Sequence, residues 1–192
     1  MALGDTQLAY RSAGIMLQNL GDSGGRAVAL KDYDYDRLGR WFSQGDRWDP
    51  RSDFMPFLAA YYYGSVPDPK KLDPVITYLA QAGARPSGEK WRWLAQAVFL
   101  ARYRQEDLAK AYDLATRLAS LPVEMPSWAR QMPAFVSLAQ GNKEAAYDIM
   151  IGILKTEAEK LPPQEVNFMV DYICTRILDA AAASIHPLCQ SE

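Results

Sequence analysis

Alternating carboxylates in the run Asp32-Tyr33-Asp34-Tyr35-Asp36 are the first feature that could do chemistry. Carboxylates at every second position begin the calcium-binding loop of an EF-hand, which also needs glycine at position six and glutamate at position twelve. Arg37 and Ser43 occupy those two positions here. Acidic residues also favour the first turn of a helix, because they interact with the helix dipole. The run therefore indicates the start of a helix, and a weak cation site is the alternative.

A second motif, Gly21-Asp22-Ser23-Gly24-Gly25, is similar to the sequence around the nucleophilic serine of chymotrypsin-like proteases. That mechanism requires a general-base histidine and an orienting aspartate on a double β-barrel. The only histidine, His186, lies near the C-terminus, and the surrounding pattern is helical. We interpret the motif as a glycine-rich turn that ends the first helix.

His186 and Cys189 have a spacing that zinc sites use, but zinc takes four ligands and the chain adds only Cys174. We interpret residues 184–192 as an unstructured tail and Cys174 as a buried, inert thiol on an apolar helix stripe. Two cysteines leave the redox compartment open. We therefore expect no metal, no cofactor and no catalytic residue.

The charge balance argues against nucleic acid as a partner. The 192 residues carry 21 Lys and Arg against 23 Asp and Glu, a formal net charge of −2, whereas nucleic-acid binders usually carry a basic surplus. No apolar run approaches the roughly 18 residues of a membrane span, and the N-terminal residues do not form a signal peptide. We expect one domain over 1–192, either a cytoplasmic protein or the soluble part of a membrane-anchored protein.

A repeat of about 36 residues organises the chain from roughly 30 to 160. Its markers are prolines that end apolar segments, aromatic residues that follow them, and alanines inside the next segment: Pro50, Pro86 and Pro122; Phe54, Trp91 and Trp128; Ala60, Ala97 and Ala134. Neighbouring members of each set are 36 or 37 residues apart. Such a period is typical of helical arrays.

Apolar residues recur at helical spacing within the repeats. This pattern predicts antiparallel helix pairs, followed by a last helix over 164–183. The predicted pairs are 5–20 with 34–46, 53–64 with 70–83, 90–104 with 107–121, and 127–140 with 142–159. The sequence thus predicts an all-α fold.

The period and the small residues resemble those of the tetratricopeptide repeat. Ala60, Ala97 and Ala134 match the small residue of its first helix, whereas its tryptophan position is matched only by Trp93. The resemblance implies a right-handed α-solenoid of three to four antiparallel helix pairs. The helix over 164–183 would cap the array, because an end repeat must cover an apolar face.

In tetratricopeptide proteins the first helix of each pair lines a concave face. With the three alanines at the eighth helix position, the resemblance assigns nine residues to that face: Phe54, Phe57, Tyr61, Trp91, Leu94, Val98, Trp128, Gln131 and Phe135. Eight of these nine are apolar or aromatic, and an exposed stripe of this kind normally marks a binding site. A partner would occupy the N-terminal half of the groove, and the helix over 164–183 would fill the half nearest Trp128. The alternative is that all nine residues belong to the core.

These observations favour a non-catalytic scaffold that binds a helix or peptide of a partner protein, with self-association as a further option. An RNA-binding array of the pentatricopeptide type shares the period, but it needs basic and polar residues at recurring positions. An all-α enzyme with a site in a helical cleft is the third hypothesis. No residue of the sequence is singled out for that role.

Overall fold

The structure, a computed structural model, describes residues 4–20, 22–23 and 26–190. Within these ranges the chain is helical, apart from a short antiparallel pair between Asp22–Ser23 (β1) and Arg26–Ala27 (β2). The predicted all-α class is confirmed. No helix in these ranges is both long enough and apolar enough to cross a membrane.

Ten α-helices follow one another through the described ranges. They are α1 (Thr6–Gln18), α2 (Tyr35–Trp48), α3 (Phe54–Phe57), α4 (Asp73–Gly83), α5 (Trp91–Phe99), α6 (Leu108–Ala119), α7 (Ser127–Ala139), α8 (Lys143–Glu157), α9 (Pro163–Tyr172) and α10 (Ala180–Ile185). Short 3-10 or π-helical segments extend α3, α4, α5, α8 and α9. With those segments included, the predicted boundaries of the four helix pairs agree with the structure to within two residues.

Local side-chain signals explain where several of these helices begin. Asp5, Asp34, Asp107, Asn142 and Asp179 each precede a helix, and each side chain accepts a hydrogen bond from a backbone N–H of the first turn. Such a cap satisfies a donor that the helix itself leaves unpaired and stabilises the helix by about 1 kcal/mol.

Three helices continue into a π-helical segment. Leu58–Tyr62 follows α3, Leu100–Arg104 follows α5, and Ile173–Ile177 follows α9. Their hydrogen bonds span five residues instead of four; for example, the backbone N–H of Gln105 donates to the carbonyl of Leu100 at 3.0 Å. Side chains beyond such a segment point in other directions than an uninterrupted α-helix would give them.

Helices that are close in the sequence pack against each other. α1 packs on α2, α2 on α4, and from α4 to α8 each helix packs on the next. The larger core cluster runs from α1 to α7 and includes Leu17, Phe42, Tyr63 and Leu94. A second cluster joins the C-terminal helices and consists of Ala134, Ala146, Met150, Met169, Ile173 and Ile177. α9 and its π-helical segment thus bury their apolar side against α7 and α8.

The C-terminal segment differs from its prediction. The helix predicted over 164–183 ends at Ile177, because Leu178 is extended and Asp179 caps the separate helix α10. The predicted unstructured tail is wrong as far as residue 190, since Pro187–Cys189 forms a 3-10 turn and Cys189 is disulfide-bonded to Cys174.

A substitution at Ala97 tests the packing between helices. Its side chain is fully buried in α5, so we expect Ala97→Leu to lower the free energy of unfolding by about 1–3 kcal/mol through overpacking. The exposed Ala139 of α7 provides the control, because Ala139→Leu changes the same atoms at the surface and should alter stability by less than about 0.5 kcal/mol. Urea unfolding of the two variants measures both values, and equal stability of the two would contradict the packing.

Candidate protein interface

The alternating carboxylates of residues 32–36 form a helix start. The Asp34 carboxylate caps α2 by accepting a hydrogen bond from the backbone N–H of Arg37 at 2.9 Å. Tyr35 is buried, and its hydroxyl donates to the carbonyl of Tyr63 at 3.2 Å. Among the residues described, no group of three or more His, Cys, Asp or Glu side chains is arranged to hold a metal ion.

The protease-like motif lies mostly outside the described residues, which leave out Gly21, Gly24 and Gly25. His186, by contrast, is among the described residues. Its Nε2 lies 2.8 Å from the hydroxyl of Tyr147, and the two rings meet edge to face. This contact ties the C-terminal segment to α8.

The cysteines have a different role from the one predicted. Cys174 lies in the π-helical segment after α9, and its disulfide with Cys189 brings the two Cα atoms to 5.7 Å. Neither sulfur is a free thiol, so the interpretation of Cys174 as an inert buried thiol is wrong. The bond holds the 3-10 turn over Pro187–Cys189 against α9.

The nine predicted groove residues do not share one environment. Exposed side chains are Phe54, Phe57, Tyr61 and Trp128; buried ones are Trp91, Leu94, Val98 and Gln131; Phe135 is half-buried. The four buried residues do not line a surface, so their assignment to an open groove is corrected. The exposed residues belong mostly to α3 and its π-helical segment.

Close contact between α4 and α5 is the reason for part of this burial. A Cβ at Gly83 would lie 2.1 Å from the backbone nitrogen of Leu94, so the two helices touch at their backbones. Leu94 occupies the same helix position in α5 as Phe57 does in α3. The contact with α4 therefore buries Leu94, whereas Phe57 is exposed. The equivalent residue of α7, Gln131, is fully buried, and neither polar atom of its side chain has a hydrogen-bond partner in the structure.

Exposed aromatic residues are nevertheless confined to one kind of helix. We call Phe54, Phe57, Tyr61, Tyr62, Phe99, Tyr103, Trp128 and Phe168 the exposed aromatic set. All eight lie on α3, α5, α7, α9 or the π-helical segments that extend them. The helices α3, α5 and α7 are the first helices of their pairs, and α9 follows the last pair. In the described residues of α2, α4, α6 and α8, no large apolar side chain is exposed.

Ring contacts join each of these first helices to the next. The rings of Tyr61 and Trp93 are 6.5 Å apart, and those of Trp91 and Trp128 are 5.5 Å apart. Phe135 contacts Tyr172 at 5.1 Å. Because these pairs connect α3 to α5, α5 to α7, and α7 to the helix of Tyr172, the first helices lie side by side in chain order.

The Asp53 carboxylate, which pairs with the buried Lys90, fixes the ring of Trp93 at the N-terminal end of this surface. Asp53 accepts hydrogen bonds from Lys90 Nζ and Trp93 Nε1, each at 2.7 Å, and Lys90 Nζ also donates to the carbonyl of Ser52. Burial raises the pKa of Asp53, but these hydrogen bonds outweigh it and hold the pKa below its usual value. Asp53 is therefore charged at neutral pH and holds Trp93 beside Tyr61.

The C-terminal end of the surface is covered by the chain itself. Phe135 packs between Phe168 and Tyr172, and the Ser127 hydroxyl donates to the carboxylate of Glu165. α9 thus occupies the place beside α7 that the sequence assigned to the last helix. Phe57 and Tyr61, at 55% and 57% exposure, have no such cover in the described structure.

The sequence analysis did not predict four members of the exposed aromatic set: Tyr62, Phe99, Tyr103 and Phe168. Phe99 and Tyr103 are four residues apart, the helical spacing that could have indicated them, and their rings are 5.1 Å apart. The alignment on Ala97 assigned Trp91, Leu94 and Val98 of α5 to the groove instead.

No protein-family model, curated protein or solved structure matches this chain. The assignment of a function therefore depends on the geometry of the site. The exposed rings of Phe57 and Tyr61 supply apolar surface, and the Asp53 carboxylate holds Trp93 beside them.

Proposed function

We propose that the protein is an interaction module that binds a helix or extended peptide of a partner protein across its first helices. The observation that carries this proposal is the confinement of the exposed aromatic set to α3, α5, α7, α9 and their extensions. Aromatic side chains dominate the energetics of protein interfaces, since each provides a large apolar area at low entropic cost. Large contiguous patches of exposed apolar side chains are typical of a binding surface.

The surface near α3 is the part that we assign to the partner. Phe57, Tyr61 and Trp93 form a cluster of rings in which Phe57 and Tyr61 are 5.1 Å apart. The Asp53 and Lys90 side chains fix Trp93 before any partner binds, which lowers the entropic cost of binding. Apolar anchors of the partner would pack between these rings.

The same helices support a tetratricopeptide-like solenoid as the architecture. The period of 36 to 37 residues, the packing of consecutive helices and the ring contacts between successive first helices all fit such an array. The right-handed arrangement and the family are part of this proposal.

Replacing Tyr61 tests the proposal. We expect Tyr61→Glu to abolish partner capture, because a carboxylate would have to be buried among apolar side chains of the partner. Stability should change by less than about 0.5 kcal/mol, since Tyr61 is exposed. Crosslinking pull-downs from the native cell, compared by mass spectrometry, measure the capture, and thermal melts measure stability.

The matched control is Ile185→Glu, which places the same charge on an exposed apolar residue of α10, a helix that carries no member of the exposed aromatic set. This variant should capture the same proteins as the wild type. Loss of capture in both variants, or unfolding of Tyr61→Glu, would contradict the proposed surface.

A further inference from the structure

A second apolar groove lies between α1 and α2, and no member of the exposed aromatic set lines it. It consists of two depressions of about 450 Å³ each, which share Met16 and Trp41. One depression extends towards Leu8 and Trp48, and the other towards Leu20. With a rise of 1.5 Å per residue, the stretch from Leu8 to Leu20 is roughly 18 Å long, the length of about three helical turns.

In the later helix pairs, the second helix of the preceding pair packs on the first helix and covers the corresponding surface. α4 packs on α5 so closely that Gly83 meets Leu94, and α6 packs on α7. α1 is the first described helix, and the side chains of Leu8, Ile15 and Met16 on its outer side are exposed. The small residues Ala9, Ser12 and Ala13 line the groove beside Met16. Small residues of this kind allow another helix to approach closely.

The charged residues beside the groove indicate which kind of partner helix it would bind. Arg37 and Arg40 flank Trp41 on the α2 side. Arg47 follows Arg40 by seven residues and lines the depression between α2 and α4. Arg11 is the only charged residue of α1. None of these four arginines takes part in an ion pair within the described ranges, although Arg85, Lys90, Arg92 and Lys110 all do.

A second copy of the chain does not complement this surface. Two-fold packing of α1 on α1 would place Arg11 near its symmetry mate, and α1 contains no acidic residue that could compensate. The nearby acids lie at one end of the groove, where Asp32 and Asp34 line the depression and Asp34 caps α2. Beyond that end, the charged residues of α2 beside the groove are Arg37 and Arg40, while Asp36 lines the depression between α2 and α4.

We propose that this groove binds an amphipathic, acidic helix of a partner protein. The apolar side of that helix would pack against Met16, Trp41 and Trp48, and its carboxylates would pair with Arg37 and Arg40. This interface is separate from the surface around Tyr61, so a partner could occupy each of them.

Two synthetic peptides test the charge preference. Both are helix-stabilised, about 14 residues long, and carry leucines at i, i+3, i+4 and i+7 spacing; glutamates flank the leucines in one peptide and lysines in the other. Fluorescence anisotropy of the labelled peptides with the full chain should give a dissociation constant at least about tenfold lower for the glutamate peptide. Added salt should reduce the difference, because it screens exposed charges.

Charge reversal locates the binding site. The double variant Arg37→Glu, Arg40→Glu should prefer the lysine peptide. Arg117→Glu with Arg176→Glu is the matched control: both arginines are exposed and distant in sequence from the groove, and the net charge changes equally. This control and Tyr61→Glu should both retain the preference of the wild type.

Several results would overturn the proposal. They are equal affinity for the two peptides, no binding of either, the same reversal in the control, or loss of glutamate-peptide binding in Tyr61→Glu. A dimer in sedimentation that Met16→Glu dissociates would assign the groove to a second copy instead. Because Tyr61→Glu is measured in parallel, failure of this proposal is distinguishable from failure of the proposed function.

Discussion

Replacing Gly83 with alanine is expected to lower the free energy of unfolding by about 3 kcal/mol or more, at the upper end of overpacking effects. The added Cβ would lie 2.1 Å from the backbone nitrogen and 2.7 Å from the Cβ of Leu94. Backbone atoms of a packed helix cannot move aside as the end of a flexible side chain can, so α4 and α5 would have to separate. For a chain of this size the melting temperature should fall by about 6–12 °C.

Two other glycines serve as controls for this variant. Gly152 lies in α8 with no atom within 4 Å of an added Cβ, so Gly152→Ala should stabilise the helix by about 0.5–1 kcal/mol. At Gly45 the atoms nearest to the added Cβ belong to the flexible side chain of Met55, and the loss should be smaller than at Gly83. Calorimetric melts of the three variants give the ranking, and a neutral Gly83→Ala would show that α4 and α5 do not touch.

Breaking the disulfide is the second large expected effect. Cys174 and Cys189 close a loop with a sequence separation of 15, and a cross-link of that length stabilises a protein by about 3 kcal/mol through the entropy of the unfolded chain. Cys174→Ser should therefore lower the free energy of unfolding by about that amount. Amide hydrogens in α10 and the 3-10 turn should exchange faster, because the bond holds that turn against α9.

The two cysteines must act as one unit if this explanation is correct. Cys189→Ser and the double serine variant should show the same loss as Cys174→Ser, since each removes the same bond. Dithiothreitol should destabilise the wild type but leave the double variant unchanged. A double variant that loses twice as much as either single variant would indicate packing effects of the sulfur atoms.

The candidate interface was only partly predictable from the sequence. The repeat placed Phe57 and Tyr61 on a first helix, and both are exposed in the structure. Leu94 in α5 and Gln131 in α7 occupy the helix position that Phe57 occupies in α3, and both are buried. Sequence periodicity gives the position of a residue around its own helix, but it does not say which neighbouring helix covers that position.

The C-terminal segment illustrates a different limit. Helical spacing of apolar residues continued past Ile177, and it predicted one uninterrupted helix. The structure ends that helix within a π-helical segment and starts α10 at the cap formed by Asp179. The break turns the chain back so that Cys189 reaches Cys174 and His186 reaches Tyr147. Such contacts between residues far apart in the sequence leave no periodic signal.

The sequence by itself determined the helical class, the order of the helix pairs and most of their ends. These features depend on local interactions: the 3.6-residue spacing of apolar side chains, the capping groups and the prolines between pairs. Only the tertiary structure decided which side of each first helix is covered, how closely α4 approaches α5, and that two cysteines pair. Those outcomes depend on packing between segments that are distant in sequence, where a backbone contact such as that of Gly83 with Leu94 sets the rotation of a whole helix.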